Sequence, residues 1–178
     1  MKRLFVAIDL PDWIKTELEM LCAFGVKGVK WVTREQMHLS LSFIGEVGEE
    51  AAMDISDTLI KVRAKSFEMS LNSVGTFPSE KTPRVIWAGI DKNNELMALQ
   101  KKVASQLNQI GIKLERRKYS PHITLARVKS KTPGRIGEFL VQNSLYKSKP
   151  FDVTSFHLYL STLTPKGAVY TKEKTYLF

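Results

Sequence analysis

The sequence is poor in cysteine and in histidine, and it contains no long apolar run. Cys22 is the single cysteine among 178 residues, so no internal disulfide forms within the chain and no cysteine cluster holds a metal. That usage fits a reducing compartment. The first apolar stretch, Leu4-Phe-Val-Ala-Ile, is broken at Asp9 and Pro11, too short for a signal-peptide core or a membrane span. The expectation is a cytoplasmic protein without membrane association. No linker-like or low-complexity segment interrupts the chain. Its length suits one compact domain over 1–178, or two small lobes sharing a core. Nothing in it calls for an obligate partner, and a monomer is expected.

Acidic residues are also scarce. Lys and Arg total 27 against 18 Asp and Glu, a net charge of +9. Between Lys113 and Arg135, eight basic residues are opposed only by Glu115. A basic surface attracts phosphates and steers nucleic acid inward. Charge alone favours a solvated basic face, and it becomes informative only beside a site that needs an anion.

What is present reads as alternating strands and amphipathic helices. Arg3–Leu10 reads as a strand, and Pro11 suits the first turn of a helix carrying Trp13, Ile14, Leu18 and Leu21. A short strand near Val29–Val32 precedes His38-Leu-Ser-Leu-Ser-Phe-Ile, whose alternation marks a half-buried strand ended by Gly45 and Gly48. Ala51, Ile55, Leu59 and Val62 then form a helical stripe. Phe67–Phe77 and Arg84–Ile90 read as two strands, and Leu96, Leu99, Val103 and Leu107 as the face of a helix that stops near Gly111. His122–Val128 is a second alternating strand. A helix near Gly134–Gln142 and two long strands, Phe151–Leu163 and Ala168–Phe178, follow. Each histidine strand opens the succession strand–helix–strand–strand, and Phe67-Glu-Met is echoed by Phe151-Asp-Val. The pattern predicts an α/β (α+β) fold of two similar lobes, mainly antiparallel sheet with outer helices, facing each other across a groove.

Only His38, His122 and His157 are histidines, and two of them share a frame: His38-Leu-Ser40-Leu and His122-Ile-Thr124-Leu, 84 residues apart. On a strand, residues i and i+2 point to one face, so each strand offers an imidazole and a hydroxyl together. Two hydroxyls can hold phosphate oxygens, and two imidazoles titrating near neutrality can divide acid and base roles. One His-x-Ser/Thr frame means little. Two, using two of three histidines, point to phosphoryl chemistry that needs no metal or cofactor. His157 lies in no such frame and reads as surface or structural, and Trp31 and Trp87 read as core.

These residues resemble the 2H phosphoesterase superfamily, and within it the RNA 2′,3′-cyclic phosphodiesterases long described as 2′-5′ RNA ligases. The resemblance extends over nearly the whole chain, from Arg3-Leu-Phe-Val-Ala-Ile-Asp-Leu-Pro11 through Pro83-Arg-Val-Ile-Trp-Ala-Gly89 to Leu158-Tyr-Leu-Ser161. It implies a bilobal fold with the four motif side chains in a central groove, and hydrolysis of RNA 2′,3′-cyclic phosphate ends to 2′-phosphates. By the same resemblance, His38 would donate a proton to the leaving 3′ oxygen, His122 would accept one from water, and Ser40 and Thr124 would bind phosphate. Arg127 is a candidate nucleotide contact on the same grounds. Phe5 is a candidate base-stacking ring, although a core role suits it better. The implied partners are RNA ends, including tRNA fragments, or small cyclic nucleotides. Two other readings stay open: reversible 2′-5′ joining of RNA ends at the same site, and a non-catalytic RNA- or nucleotide-binding module.

Overall fold

The computed structural model describes residues 1–131 and 134–178. Strand β1 (Lys2–Asp9) leads into helix α1 (Asp12–Cys22), β2 (Val29–Trp31), a 3-10 turn (Arg34–Gln36) and β3 (His38–Val47). Helix α2 (Glu49–Leu59), β4 (Phe67–Met69), β5 (Leu71–Phe77), β6 (Val85–Ile90) and α3 (Asn94–Gln109) follow. The chain ends with β7 (His122–Val128), α4 (Ile136–Gln142), β8 (Phe151–Val153), β9 (Ser155–Thr164) and β10 (Gly167–Leu177).

Local chemistry accounts for the helices. The Asn93 side chain accepts the Leu96 N–H at 2.8 Å, capping α3. That helix then buries Leu96, Leu99, Val103 and Leu107, the stripe set by its 3.6-residue period. Ile14 and Leu18 do the same for α1, and Ile55 and Leu59 for α2. All these side chains join one core that also takes in Leu39 from the first sheet and Leu125 from the second.

Two four-stranded antiparallel sheets form, ordered β10-β9-β1-β3 and β2-β7-β6-β5. The predicted strands at Phe67–Phe77 and Phe151–Leu163 each split in two. Leu71 is held by Ser148, whose hydroxyl accepts its N–H at 2.9 Å and whose N–H donates to its carbonyl at 3.1 Å. Ser70 therefore marks the point where the chain leaves one partner strand for another. Thr154 does so in the second half, its carbonyl accepting the Phe178 N–H. The freed segments β4 and β8 pair with each other, Phe67 opposite Val153 and Met69 opposite Phe151. The β3 strand also runs past Gly45, which takes φ +88° where register shifts against β1. A left-handed glycine here absorbs a bulge instead of ending the strand.

The echo in the sequence becomes an exchange of strands. Three strands of the first sheet, β9-β1-β3, correspond to β5-β6-β7 of the second. The β5 strand from the first half of the chain thus completes the second sheet, and β9 from the second half completes the first.

Gly75 on β5 lies opposite Trp87, and a Cβ there would sit 2.3 Å from the indole Cζ2. Gly75→Ala should therefore cost about 1–3 kcal/mol of stability by overpacking. Urea denaturation checks this: the midpoint should fall with an unchanged slope, and an unaltered midpoint would mean the ring does not rest on that glycine.

Candidate active site

The histidine strands lie at matching places in the two sheets. His38 is opposite Asp9 on β1 and Ser40 is opposite Ala7; His122 is opposite Gly89 on β6 and Thr124 is opposite Trp87. Each pairing then slips by one residue. Ser42 pairs with Val6 and Ala126 with Ile86, leaving Leu41 and Leu125 as the extra residues of two bulges. A bulge reverses the alternation beyond it. Leu39, Leu41 and Ser42 are buried while Phe43 is exposed; Ile123, Leu125 and Ala126 are buried while Arg127 is exposed. Phe43 and Arg127 consequently share the groove face with the histidines ahead of them. The β3 and β7 strands themselves approach one another, so both faces border one space.

Each imidazole is oriented by the backbone two residues earlier. The His38 Nδ1–H donates to the Gln36 carbonyl at 2.7 Å, and the His122 Nδ1–H to the Ser120 carbonyl at 2.8 Å. A carbonyl only accepts, so Nδ1 carries the proton and Nε2 is left with its lone pair. The Ser40 hydroxyl donates to the His38 Nε2 at 3.0 Å.

Burial pushes the His38 imidazole down to about 4, against the opposing pull of the Gln36 carbonyl and the Asp9 carboxylate. Burial also lowers His122, opposed by the Ser120 carbonyl and reinforced by the Arg127 cation. Asp9 would be raised by its own burial, but hydrogen bonds from Lys172 and Lys15 outweigh this and hold it below the usual carboxylate value.

Aromatic rings wall the site. Phe5 lies 4.9 Å from the His38 ring, stacked on Tyr159 at 5.1 Å and met edge-on by Tyr170 at 5.0 Å. It is 5% exposed, which places it beneath the imidazole as packing and leaves little ring face for a base. Tyr170 itself reaches His38 at 5.3 Å, and Phe77 meets the His122 ring edge-on at 4.8 Å. Phe43, Phe77, Tyr159 and Tyr170 were not singled out from sequence; only the bulge and the strand exchange bring them here. The periodicity of β9 alone marks Tyr159 as a face residue. His157 is buried, with the Thr175 hydroxyl 2.9 Å from its Nδ1, and is structural. Trp31 packs on Phe139, while Trp87 is partly buried on the groove side rather than in the core.

A cavity of about 1280 Å³ opens beside Ser40 and His122, running between β3 and residues 111–120. Among the described residues, no group of three or more His, Cys, Asp or Glu side chains is placed to hold a metal, and no helix is long and apolar enough to cross a membrane.

Residues 10–163 match the family model of the 2′-5′ RNA ligase superfamily. The chain belongs to that superfamily, the 2H phosphoesterases. It is similar to the RNA 2′,3′-cyclic phosphodiesterase of Archaeoglobus fulgidus, 36% identical over 94% of this chain and 96% of the relative. A protein of the same description from Thermotoga maritima is also 36% identical, with 94% and 91% covered. Among solved structures, Escherichia coli LigT complexed with 3′-AMP matches at TM-score 0.83 and 27% identity, covering 99% of this chain and 98% of that one. A Thermus thermophilus protein matches at 0.83 and 28% identity, with 98% and 97% covered. The bilobal 2H phosphoesterase fold expected from sequence is the fold observed.

The imidazole environments make a spectroscopic prediction. In 15N-labelled protein at pH 7, His38 and His122 should both be neutral, with Nδ1 protonated and Nε2 bare. The His38 titration should have its midpoint near 4; a midpoint at 6.5 or above would contradict the buried site described.

Proposed function

We propose that this protein hydrolyses RNA 2′,3′-cyclic phosphate ends to 2′-phosphates, with His122 as proton acceptor and His38 as proton donor. The carrying observation is the matched pair of imidazoles, each with Nδ1–H tied to a backbone carbonyl so that Nε2 carries the lone pair that exchanges a proton, on strands that approach each other. Ser40 and Thr124, two residues along, supply hydroxyls for the non-bridging oxygens. Water attacks phosphorus and loses a proton to the His122 Nε2. The bond from phosphorus to O3′ breaks, and O3′ takes a proton from the His38 Nε2. The product carries a 2′-phosphate and a 3′-hydroxyl, and proton exchange resets the pair. Burial lowers both imidazoles, and the donor and acceptor labels follow the resemblance to the 2H phosphoesterases. An RNA 5′-hydroxyl in place of water would give the joining reaction at the same atoms.

The reaction uses no metal or cofactor on this reading, since both proton transfers are assigned to side chains. Arg127 lies on the groove face where it would meet the nucleotide, whereas Phe5 would act through His38. Because both histidines come from one chain, a monomer suffices. The substrates are RNA ends, tRNA fragments among them, or nucleoside cyclic phosphates met in the cytoplasm.

Purified protein in excess chelator should convert an RNA 2′,3′-cyclic phosphate end to the 2′-phosphate; a 3′-phosphate product, or none, would sink this assignment. His38→Ala and His122→Ala should each lower kcat by about 10²–10⁴. Ser40→Ala and Thr124→Ala should lose about tenfold or more, the worth of a hydrogen bond to a charged group.

The pH dependence follows from the same roles. Activity falls at low pH as His122 becomes protonated and at high pH as His38 loses its proton, giving a bell. Both imidazoles are lowered in the empty site, so the optimum of kcat/KM should lie on the acid side of 6.5. A bound phosphodiester anion favours both imidazolium forms, which moves the kcat profile to higher pH. Coincident kcat and kcat/KM profiles would count against an anion bound between the two rings.

A further inference from the structure

The two halves of the chain differ in what covers the outer edge of each histidine strand. In the second sheet, β2 lies along β7, with Val29 opposite Val128 and Trp31 opposite Ala126. The Val32 N–H continues this cover by donating to the Leu125 carbonyl at 2.9 Å. The residues standing before His122 as Val29–Trp31 stand before His38 are Lys113, Leu114 and Glu115. They form no strand on β3. The β3 edge is instead met by side chains, Tyr119 Oη donating to the Ser40 carbonyl at 2.9 Å and Gln100 Nε2 to the Leu41 carbonyl at 3.4 Å. Where the pseudo-equivalent strand would lie, the cavity of about 1280 Å³ runs between Ser40–Phe43 and residues 111–120. This exceeds the roughly 300–1,000 Å³ usual for a small-molecule site.

We infer that this vacated strand position holds the RNA chain on the 5′ side of the cyclic end, with Arg116 and Arg117 on its backbone phosphates and Phe43 beneath one of its bases. The inference rests on the proposed function and extends it from a terminal nucleotide to a polynucleotide. The groove is continuous with the histidine site, since Ser40 and His122 line both. Its cations Arg84, Lys113, Arg116, Arg117 and Lys118 pair with no carboxylate among the described residues, and Glu115 is the one acid in the lining. That imbalance suits a run of phosphates and disfavours an acidic or neutral peptide strand at the open edge. Phe43 is 48% exposed, with Arg3 over its ring at 5.3 Å, an arrangement suited to sequence-tolerant stacking.

The test compares a nucleoside 2′,3′-cyclic monophosphate with a six-nucleotide RNA bearing the same end. The double variant R116A/R117A should raise KM for the hexamer about tenfold or more while leaving kcat/KM for the mononucleotide within about twofold. Its log KM for the hexamer should also lose about 1.4 of its dependence on log salt, at about 0.7 per single-strand phosphate contact. R116K/R117K should restore most of the salt dependence, and Phe43→Ala should weaken the hexamer about fivefold or more. Equal losses on both substrates, or no loss on the hexamer, would overturn the groove. A wild-type protein inactive on both substrates would instead overturn the hydrolase reading. The groove is then still read by fluorescence anisotropy with a labelled hexamer ending in a 2′-phosphate, whose affinity should fall about tenfold in R116A/R117A; unchanged affinity would overturn it. Melting temperatures within a degree or two of wild type would establish that the exposed substitutions leave the fold intact.

Discussion

A β-strand presents every second side chain to one face, and each histidine strand changes that phase directly after its motif hydroxyl, at Leu41 and at Leu125. The site depends on these two slips. Before them, His38 with Ser40 and His122 with Thr124 project together into the groove. Beyond them, Phe43 and Arg127 join from positions that strict alternation would send into the core. Without the bulges, Ser42 and Ala126 would face the groove and the two larger side chains would be buried. The bulges are therefore as much a part of the site as the histidines.

The tautomers depend in turn on the turns preceding the strands. The carbonyls of Gln36 and Ser120 stand two residues before their histidines, and each takes the Nδ1 proton. The surroundings of the rings are less alike. His38 sits over the Phe5–Tyr159 stack beside the Asp9 carboxylate, while His122 meets Phe77 and the Arg127 cation. The same motif thus meets two different sets of neighbours.

The four motif residues were legible in the sequence because their signal is local. His-x-Ser/Thr within an alternating run needs no knowledge of the partner strand. The helices were legible for the same reason, each declaring its buried face at 3.6-residue spacing. Phe43 was not, since a bulge is a relation between two strands and leaves no mark in either one alone. Arg127 was found through family resemblance, not through its phase. The break at Ser70 was hidden because residues 67–71 carry no proline or glycine to mark it, and only the Leu71–Ser148 hydrogen bonds show where one pairing ends. Tyr159 and Tyr170 reach His38 from the far end of the chain, a proximity created by β9 entering the first sheet.

That exchange bears on symmetry. A half-length chain with this pattern would complete its sheets only by lending a strand to a second copy, with the reactive space on the two-fold axis between them. Identical copies would then have to present identical groups to the phosphate from both sides. Joining the halves in one chain removes that equality. Phe43 can stand where its counterpart is Arg127, Ser40 where its counterpart is Thr124, and one histidine edge can be covered by β2 while the other lies open. Displacement at phosphorus has an entering side and a leaving side, and only an asymmetric site can tell them apart.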